Sequence, residues 1–483
     1  MKGKTYLKEY DFIVVGSGPA GCVLANRLTE NPNWNVLLIE AGTAEGFIEN
    51  APLFAPYMFL GRYNWGYNAE RQPYACLGLK DQKCGFPRGR SLGGTSVING
   101  MLYTRGSKED FDRWEYDLGN YGWNYDEYAL PSFMKSESAY LKHFHKPQYH
   151  NSSGPLSVEH NPYRTPIADI FIEANKAMGL EEIDYNSDQN IGVAHLQANT
   201  LRGKRHSAFR SFIQPIQKRP NLHIMLNTRV TKVLIDPVSR VAFGVEMHRK
   251  NRRIAITARK EVILSAGSFH SPQLLMLSGI GSKPDLQKLG VPVLQDSPVG
   301  KQMYDHISFL GLLVTTNLTN PLSKLFSPSN IVKMASEYVS GQGYLTVANG
   351  VEALCFIKTP TSNVPHPRLP EVEMILVSLT PQIDGGYAVK ESERLHPSIY
   401  DAVFKPLESE TTYSFLLVLS LLHPKSYGYL ELRNRNPLNS PRFYPNFFKE
   451  PEDVETVLEV VCRLFNHEKS RKMKFKVDPM YTE

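Results

Sequence analysis

Cysteine is scarce in this chain: five in 483 residues, an odd number. That excludes a disulfide-dense secreted scaffold. Long apolar runs are absent as well. The longest, FLLVLSLL at Phe415–Leu422, falls far short of the ~20 residues of a spanning helix and fits a buried strand. No membrane span is therefore expected. Neither sign of charge dominates, with 54 basic against 48 acidic residues mixed along the chain and a formal +6. Such a weak, dispersed field argues against a nucleic-acid partner. No internal repeat or low-complexity tract appears, which removes the solenoid and disordered classes. The opening MKGKTYLKEY is basic, but the apolar run behind it carries glycines with another use. No secretory signal is read there. The localisation stays open: cytoplasmic if the amino terminus is complete.

What is present begins with a β-α-β unit. YDFIVV (Tyr10–Val15) reads as a buried strand, GSGPAG as a glycine turn, AGCVLANRLTE as a helix and NVLLIE (Asn35–Glu40) as a second strand. Pro19 suits the opening turn of that helix. The unit implies a parallel sheet with a right-handed crossover. Further strands are expected within Leu222–Asp236, VAFGVEMHR and KEVILSAGS, and then in EVEMILVSL, YSFLLVLSLLHP and YGYLELR. The expected fold is α/β: a Rossmann-like dinucleotide-binding domain over residues 1–305, interrupted by surface excursions near 41–82 and 118–190. A second lobe built on a mostly antiparallel sheet is expected over 306–465. Pro451–Phe465 reads as an amphipathic helix with Val454, Val457, Leu458, Val461, Leu464 and Phe465 on one stripe. Residues 466–483 read as a connection that breaks off.

The strongest motif is Gly16-Ser17-Gly18-Pro19-Ala20-Gly21. It follows a strand, opens a helix and has Glu40 at the tip of the next strand, the context a dinucleotide site requires. Gly16 permits the turn, Gly18 lets the backbone approach a pyrophosphate, and Gly21 lets helix and strand close. The helix N-terminus offers N–H groups to phosphates, and Glu40 would accept from a ribose. A second stretch, PRGRSLGGTSVINGMLYTRG (Pro87–Gly106), places Gly93 and Gly94 before Thr95 and Ser96, either of which would cap a helix. Two glycine-lined approaches favour FAD, gripped at both ends, over a nicotinamide nucleotide, which only the first motif supports. A third, Gly267–Gly281, is another strand–turn–helix with glycines at both ends.

Together, Gly16–Gly21 with Glu40, Gly89–Gly106 and Gly267–Gly281 resemble the glucose–methanol–choline (GMC) family of FAD oxidoreductases, in style its insect glucose dehydrogenase-like members. SPVGKQMYDH (Ser297–His306) and HPKSYGYLELRNRNP (His423–Pro437) fit the same pattern. The resemblance implies that Gly16, Ser17, Gly18, Ala20, Gly21 and Glu40 hold the ADP half of FAD. It places Gly94, Val97, Asn99, Gly100, Met101 and Leu102 along the pyrophosphate and isoalloxazine, and Val230 beside the adenine. No His lies between Gly93 and Tyr103, so a covalent histidyl link is not expected and the FAD is expected to be non-covalent.

The implied reaction is hydride transfer from a small alcohol or sugar to the flavin, with a quinone or oxygen as electron acceptor. A neutral His would take the hydroxyl proton, its pKa suiting that role. The family's H-P-x-G-T segment, which carries that His, does not occur before Glu483. No catalytic residue is assigned, and a truncated or non-catalytic flavin-binding scaffold stands as the alternative. His143, His145 and His150 lie in an irregular stretch without clustered carboxylates, so a surface loop and no metal site are expected. No G-x-S-x-G elbow is present. Cys22 and Cys355 read as buried small apolar residues. Cys76 and Cys84 flank LGLKDQK; a disulfide and two free thiols are both open. A disulfide would argue for an oxidising compartment, and the family resemblance itself points to secretion if the amino terminus is incomplete.

Overall fold

The computed structural model describes residues 6–46, 50–318, 328–362, 364, 366–408 and 413–466. His467 and the connection expected at 466–483 lie outside the described residues, except for Asn466. The chain opens with β1 (Glu9–Val15), α1 (Pro19–Leu28) and β2 (Val36–Ile39). A long irregular passage carries α2 (Pro166–Ala177) and β3 (Gly192–His195). Then follow β4 (Leu222–Met225), β5 (Thr228–Ile235), β6 (Ala242–Arg249), the long β7 (Arg252–Leu264) and α3 (Gly267–Leu277). The remainder supplies β8 (Ile307–Thr316), β9 (Val351–Ile357), β10 (Val372–Val377), β11 (Tyr413–Leu421) and α4 (Pro451–Asn466). Among the described residues, no helix is long and apolar enough to cross a membrane.

The first sheet runs β4-β2-β1-β7-β6-β5. Its first four strands are parallel neighbours, and β7, β6 and β5 are antiparallel. β1 and β2 are covered on both faces, as the near-continuous apolar runs predict. Phe12, Val14, Val36 and Leu38 enter one cluster. Ile13, Val15, Leu37 and Ile39 enter another. β7 has two jobs. Its first half pairs with β6 antiparallel up to Thr257, and from Thr257 onward it pairs with β1 in parallel.

The second sheet runs β8-β11-β10-β9-β3 and is antiparallel throughout. One of its edges, β3, comes from chain that precedes residue 300. YGYLELR does not join it: Tyr429–Glu431 pairs only with Arg442–Tyr444 in a separate two-stranded ribbon. The largest core cluster lies on one face of this sheet and takes in Val457 and Val460 of α4. The expected stripe of α4 is met in part: Val457, Val461 and Leu464 pack into that core. Val454 and Leu458 are exposed, while Val460, not anticipated, is buried. The helix docks by the side that meets the sheet, and a purely helical period does not say which side that is.

A second correction concerns His150. It sits in an irregular stretch, yet its side chain is only 5% exposed. Its Nδ1 lies 2.6 Å from Glu137 Oε1 and its Nε2 lies 2.8 Å from Asp184 Oδ2. Arg105, fully buried, pairs with the other oxygen of Glu137. The two carboxylates outweigh desolvation and raise the His150 pKa to about 9. His143 likewise packs inward, 4.7 Å from His160 and 4.5 Å from His195 between ring centroids. Among the described residues no group of His, Cys, Asp and Glu is arranged to hold a metal. Cys22 and Cys355 are buried, and Cys76 and Cys84 form a disulfide with Cα atoms 5.4 Å apart.

The His150 network sets a pH dependence. A histidine whose folded pKa is raised stabilises the fold fully below its unfolded value near 6.5, and that contribution is lost as pH rises through about 9. Asp184, held low by the same contact, changes only on the acid side. The melting-temperature advantage of wild type over His150→Gln should therefore be largest near pH 6 and shrink steadily toward pH 9.5. The advantage corresponds to roughly 3 kcal/mol. A constant difference across that range, measured by thermal unfolding, contradicts the assignment.

Candidate cofactor-binding site

The glycine turn after β1 is shaped by contacts that only glycine allows. Gly16 has φ +95°, and a Cβ there would lie 2.5 Å from Ser265 O. A Cβ at Gly21 would lie 2.0 Å from Gly16 O, so Gly21 seals the helix against the turn and does not face a ligand. Gly18 forms the N-cap of α1 with extended backbone and no side-chain cap. The helix N-terminus is thus left open.

The second glycine stretch lies directly against the first. Gly93 N donates to Ser17 O at 2.9 Å. A Cβ at Gly94 would stand 2.5 Å from Gly18 Cα. Neither Thr95 nor Ser96 caps a helix. Gly94–Val97 is one 3₁₀ turn whose N-cap, Gly93, is left-handed at φ +109°. In that geometry the two hydroxyls turn back on the loop. Thr95 Oγ1 accepts from Gly89 N at 3.1 Å, and Ser96 Oγ donates to Gly93 O at 2.6 Å.

Glu40, at the tip of β2, is 6% exposed. Its Oε2 accepts from Ser17 Oγ at 2.6 Å and Ser17 N at 3.1 Å, and its Oε1 accepts from Gly42 N at 2.8 Å. Burial raises its pKa, and these three donors oppose the shift without cancelling it. Thr228 N donates to the main-chain Glu40 O at 3.0 Å, which ties the start of β5 to the tip of β2.

One cavity of about 490 Å³ gathers these parts. Its lining includes Gly16, Ser17, Gly18, Ala20, Glu40, Gly94 and Val230, with Gly267 at the start of α3 opposite. Nothing lies within 4 Å of where a Cβ would stand at Gly18 or Gly267. The backbone is bare toward the cavity at both helix starts, which fits an elongated dinucleotide approached by main-chain N–H groups. Val97, Asn99, Gly100, Met101 and Leu102 do not line this cavity. They continue from it toward the second sheet. Asn99 Oδ1 accepts from the buried Arg205 Nη1 at 2.9 Å, and Met101 joins the cluster under that sheet. The expected residues thus divide into a ring around the cavity, a packing glycine, and a strand of contacts running on to the second lobe.

Several lining residues were not anticipated as site residues, although His270 lies inside the third glycine stretch. Trp65, Tyr67, Arg229 and His270 close one side. The His270 ring lies 4.4 Å from Trp65, between centroids, and its Nε2 is hydrogen-bonded to Tyr67 OH. Burial first, then Arg229 and Arg90, lower the His270 pKa to about 3, so the imidazole is neutral. Arg90 and Arg229 stack over Trp65 at 4.8 and 5.1 Å, giving this side a positive field over an aromatic floor. His423, by contrast, is anchored elsewhere. Its Nε2 lies 3.0 Å from Asp110 Oδ1 and its Nδ1 lies 3.1 Å from Pro370 O.

Residues 10–308 match the family profile described as GMC oxidoreductase. A glucose dehydrogenase [FAD, quinone] of Drosophila pseudoobscura pseudoobscura is 37% identical over 454 residues, 93% of this chain and 68% of that one. An oxygen-dependent choline dehydrogenase of Sinorhizobium fredii is 34% identical over 452 residues, 92% of this chain and 75% of that one. Among solved structures, an FAD-dependent oxidoreductase from Chaetomium thermophilum superposes with TM-score 0.76 at 26% identity, covering 96% of this chain and 83% of its own. A Rossmann-like cavity closed by two glycine turns, beside an antiparallel substrate sheet, therefore defines a dinucleotide-dependent oxidoreductase. The chain belongs to the GMC oxidoreductase family and is an FAD-dependent oxidoreductase.

The two glycine positions should separate under mutation. Gly18 has φ −67° and open space ahead of it, so Gly18→Val should fold normally yet lose most of its flavin. Gly94, at φ +56° and pressed on Gly18, should lose about 1–3 kcal/mol of stability as Gly94→Ala. Urea unfolding and the flavin-to-protein absorbance ratio check both outcomes.

Proposed function

We propose that FAD is held here without a covalent bond, and that the chain oxidises the CH–OH group of a small alcohol or sugar, with a quinone or oxygen taking the electrons. The observation that carries this reading is the single cavity shared by both glycine turns, with Glu40 buried at its wall. When bound, FAD supplies the hydride-accepting ring. The protein's part is to position it. The open start of α1 offers N–H groups to the pyrophosphate, and Glu40 Oε1 keeps a lone pair for a ribose hydroxyl after its bond from Gly42, while Oε2 is taken up by Ser17 N and Oγ. Val230 offers its backbone edge to the adenine, and Trp65 with Arg229 closes that side against water.

Absence of any His or Cys between Gly93 and Tyr103 supports the non-covalent reading. The names of the insect and bacterial relatives support the donor class. No described residue is assigned as the base that takes the hydroxyl proton: His423 is committed to Asp110 and a backbone carbonyl, and His270 faces the glycine-turn cavity. For the localisation, the Cys76–Cys84 disulfide supports an oxidising compartment.

The test is purification of the chain and denaturation in acid. A yellow protein absorbing at about 450 nm, whose colour passes entirely to the supernatant, is the expected result. Flavin that remains with the precipitate refutes non-covalent binding, and a colourless protein refutes the reading as a whole. Reduction of a dye acceptor with alcohol and sugar donors then measures turnover.

A further inference from the structure

The second sheet carries a carboxyl group with no partner for one of its oxygens. Glu373 lies on β10 between Val372 and Met374, which both enter the large core. Its own side chain points to the opposite face, shared with Ile375. That face packs on the cluster of Met101, Tyr185, Leu354 and Phe356. The strand register sets Glu373 beside Phe356 on β9 and Ser420 on β11. Ser420 in turn sits opposite Ser308 on β8, and Ser308 Oγ donates to Ser420 Oγ at 3.2 Å.

Three polar side chains therefore form one row across an otherwise apolar face, neighbours standing about 5 Å apart. The row starts at the surface with Ser308 and runs inward to Ser420, 4% exposed, and Glu373, 9% exposed. Glu373 Oε1 is buried without a hydrogen-bond partner. Proteins rarely leave a buried carboxyl oxygen unmet, and a ligand or ordered water is the usual complement. Burial alone brings the carboxyl pKa up to about 7, so near neutral pH it both donates and accepts. Leu102 packs on the same cluster as Met101, which brings the row beside the segment that continues from the cofactor cavity.

We propose that the Ser308–Ser420–Glu373 row is the donor-recognition strip of this enzyme, reading a hydroxyl of a sugar or polyol away from the carbon that is oxidised. The inference rests on the reading above that the chain oxidises a CH–OH group. A polyhydroxylated donor meets a buried acid and two hydroxyls along one line. An apolar alcohol leaves the carboxyl unsatisfied and gains nothing there.

The test titrates the chain with D-glucose and with benzyl alcohol and follows the melting temperature, a readout of binding that needs no turnover. Glucose should raise the melting temperature of wild type. Glu373→Leu should weaken the glucose effect by about tenfold in concentration while leaving that of benzyl alcohol unchanged. Glu373→Gln, which keeps a donor and an acceptor, should stay near wild type. If Glu373→Leu does not fold, Ser420→Ala takes its place, with an expected loss of about threefold for glucose alone. A wild-type chain indifferent to glucose, or variants that lose glucose and benzyl alcohol equally, overturns the proposal. Flavin content is measured on the same samples. A yellow chain indifferent to glucose defeats the strip and leaves the FAD reading standing. A colourless chain whose glucose response depends on Glu373 does the reverse.

Discussion

The site depends on one close approach between backbones. Gly93 N donates to Ser17 O, and Gly94 lies so near Gly18 that a methyl group at Gly94 would overlap its Cα. This contact makes two distant stretches of chain into one wall. Without it, the turn after β1 would be an ordinary phosphate-binding loop, open to solvent on its far side. With it, both glycine turns line one and the same cavity. The left-handed angles at Gly93 and Gly94 follow from that demand: the second loop has to fold back sharply enough to reach the first.

That constraint explains why the cofactor end of the protein was legible in its sequence. Glycine at 16, 21, 93 and 94 answers a geometric need that no other residue meets, and Gly18 leaves the helix start bare toward the cavity, so residue identity alone carries the information. Glu40 was legible for a related reason, being fixed by its place at the tip of a short buried strand. The first sheet could be read because strands buried on both faces are written as unbroken apolar runs. The wall formed by Trp65, Tyr67, Arg229 and His270 could not. Its members come from a loop, two strands and the first turn of α3, and nothing local distinguishes a tryptophan that floors a cavity from one that fills a core.

The misreadings have a shared physical origin. Thr95 and Ser96 have the composition of helix caps, but a left-handed glycine before them turned both hydroxyls onto the loop itself. The apolar stripe of α4 was right at Val457, Val461 and Leu464 and wrong at Val454 and Leu458, because the sheet it packs on decides how much of the helix is inside. His150 looked solvated in an aperiodic stretch, but its carboxylate partners come from thirteen residues before and thirty-four after it. In each case a contact remote in sequence overrode a sound local rule.

The disulfide ring of residues 76–84 reaches across to the second lobe. Lys80 N donates to Arg394 O, His396 N donates to Gly78 O, and the Lys80 ammonium meets Glu391. Because the ring is covalently closed, a cut by a protease anywhere between Leu77 and Lys83 would open a loop without parting the polypeptide. Such a nick would be invisible on a non-reducing gel, and the clasp on the second lobe would outlast it until a thiol released the ends.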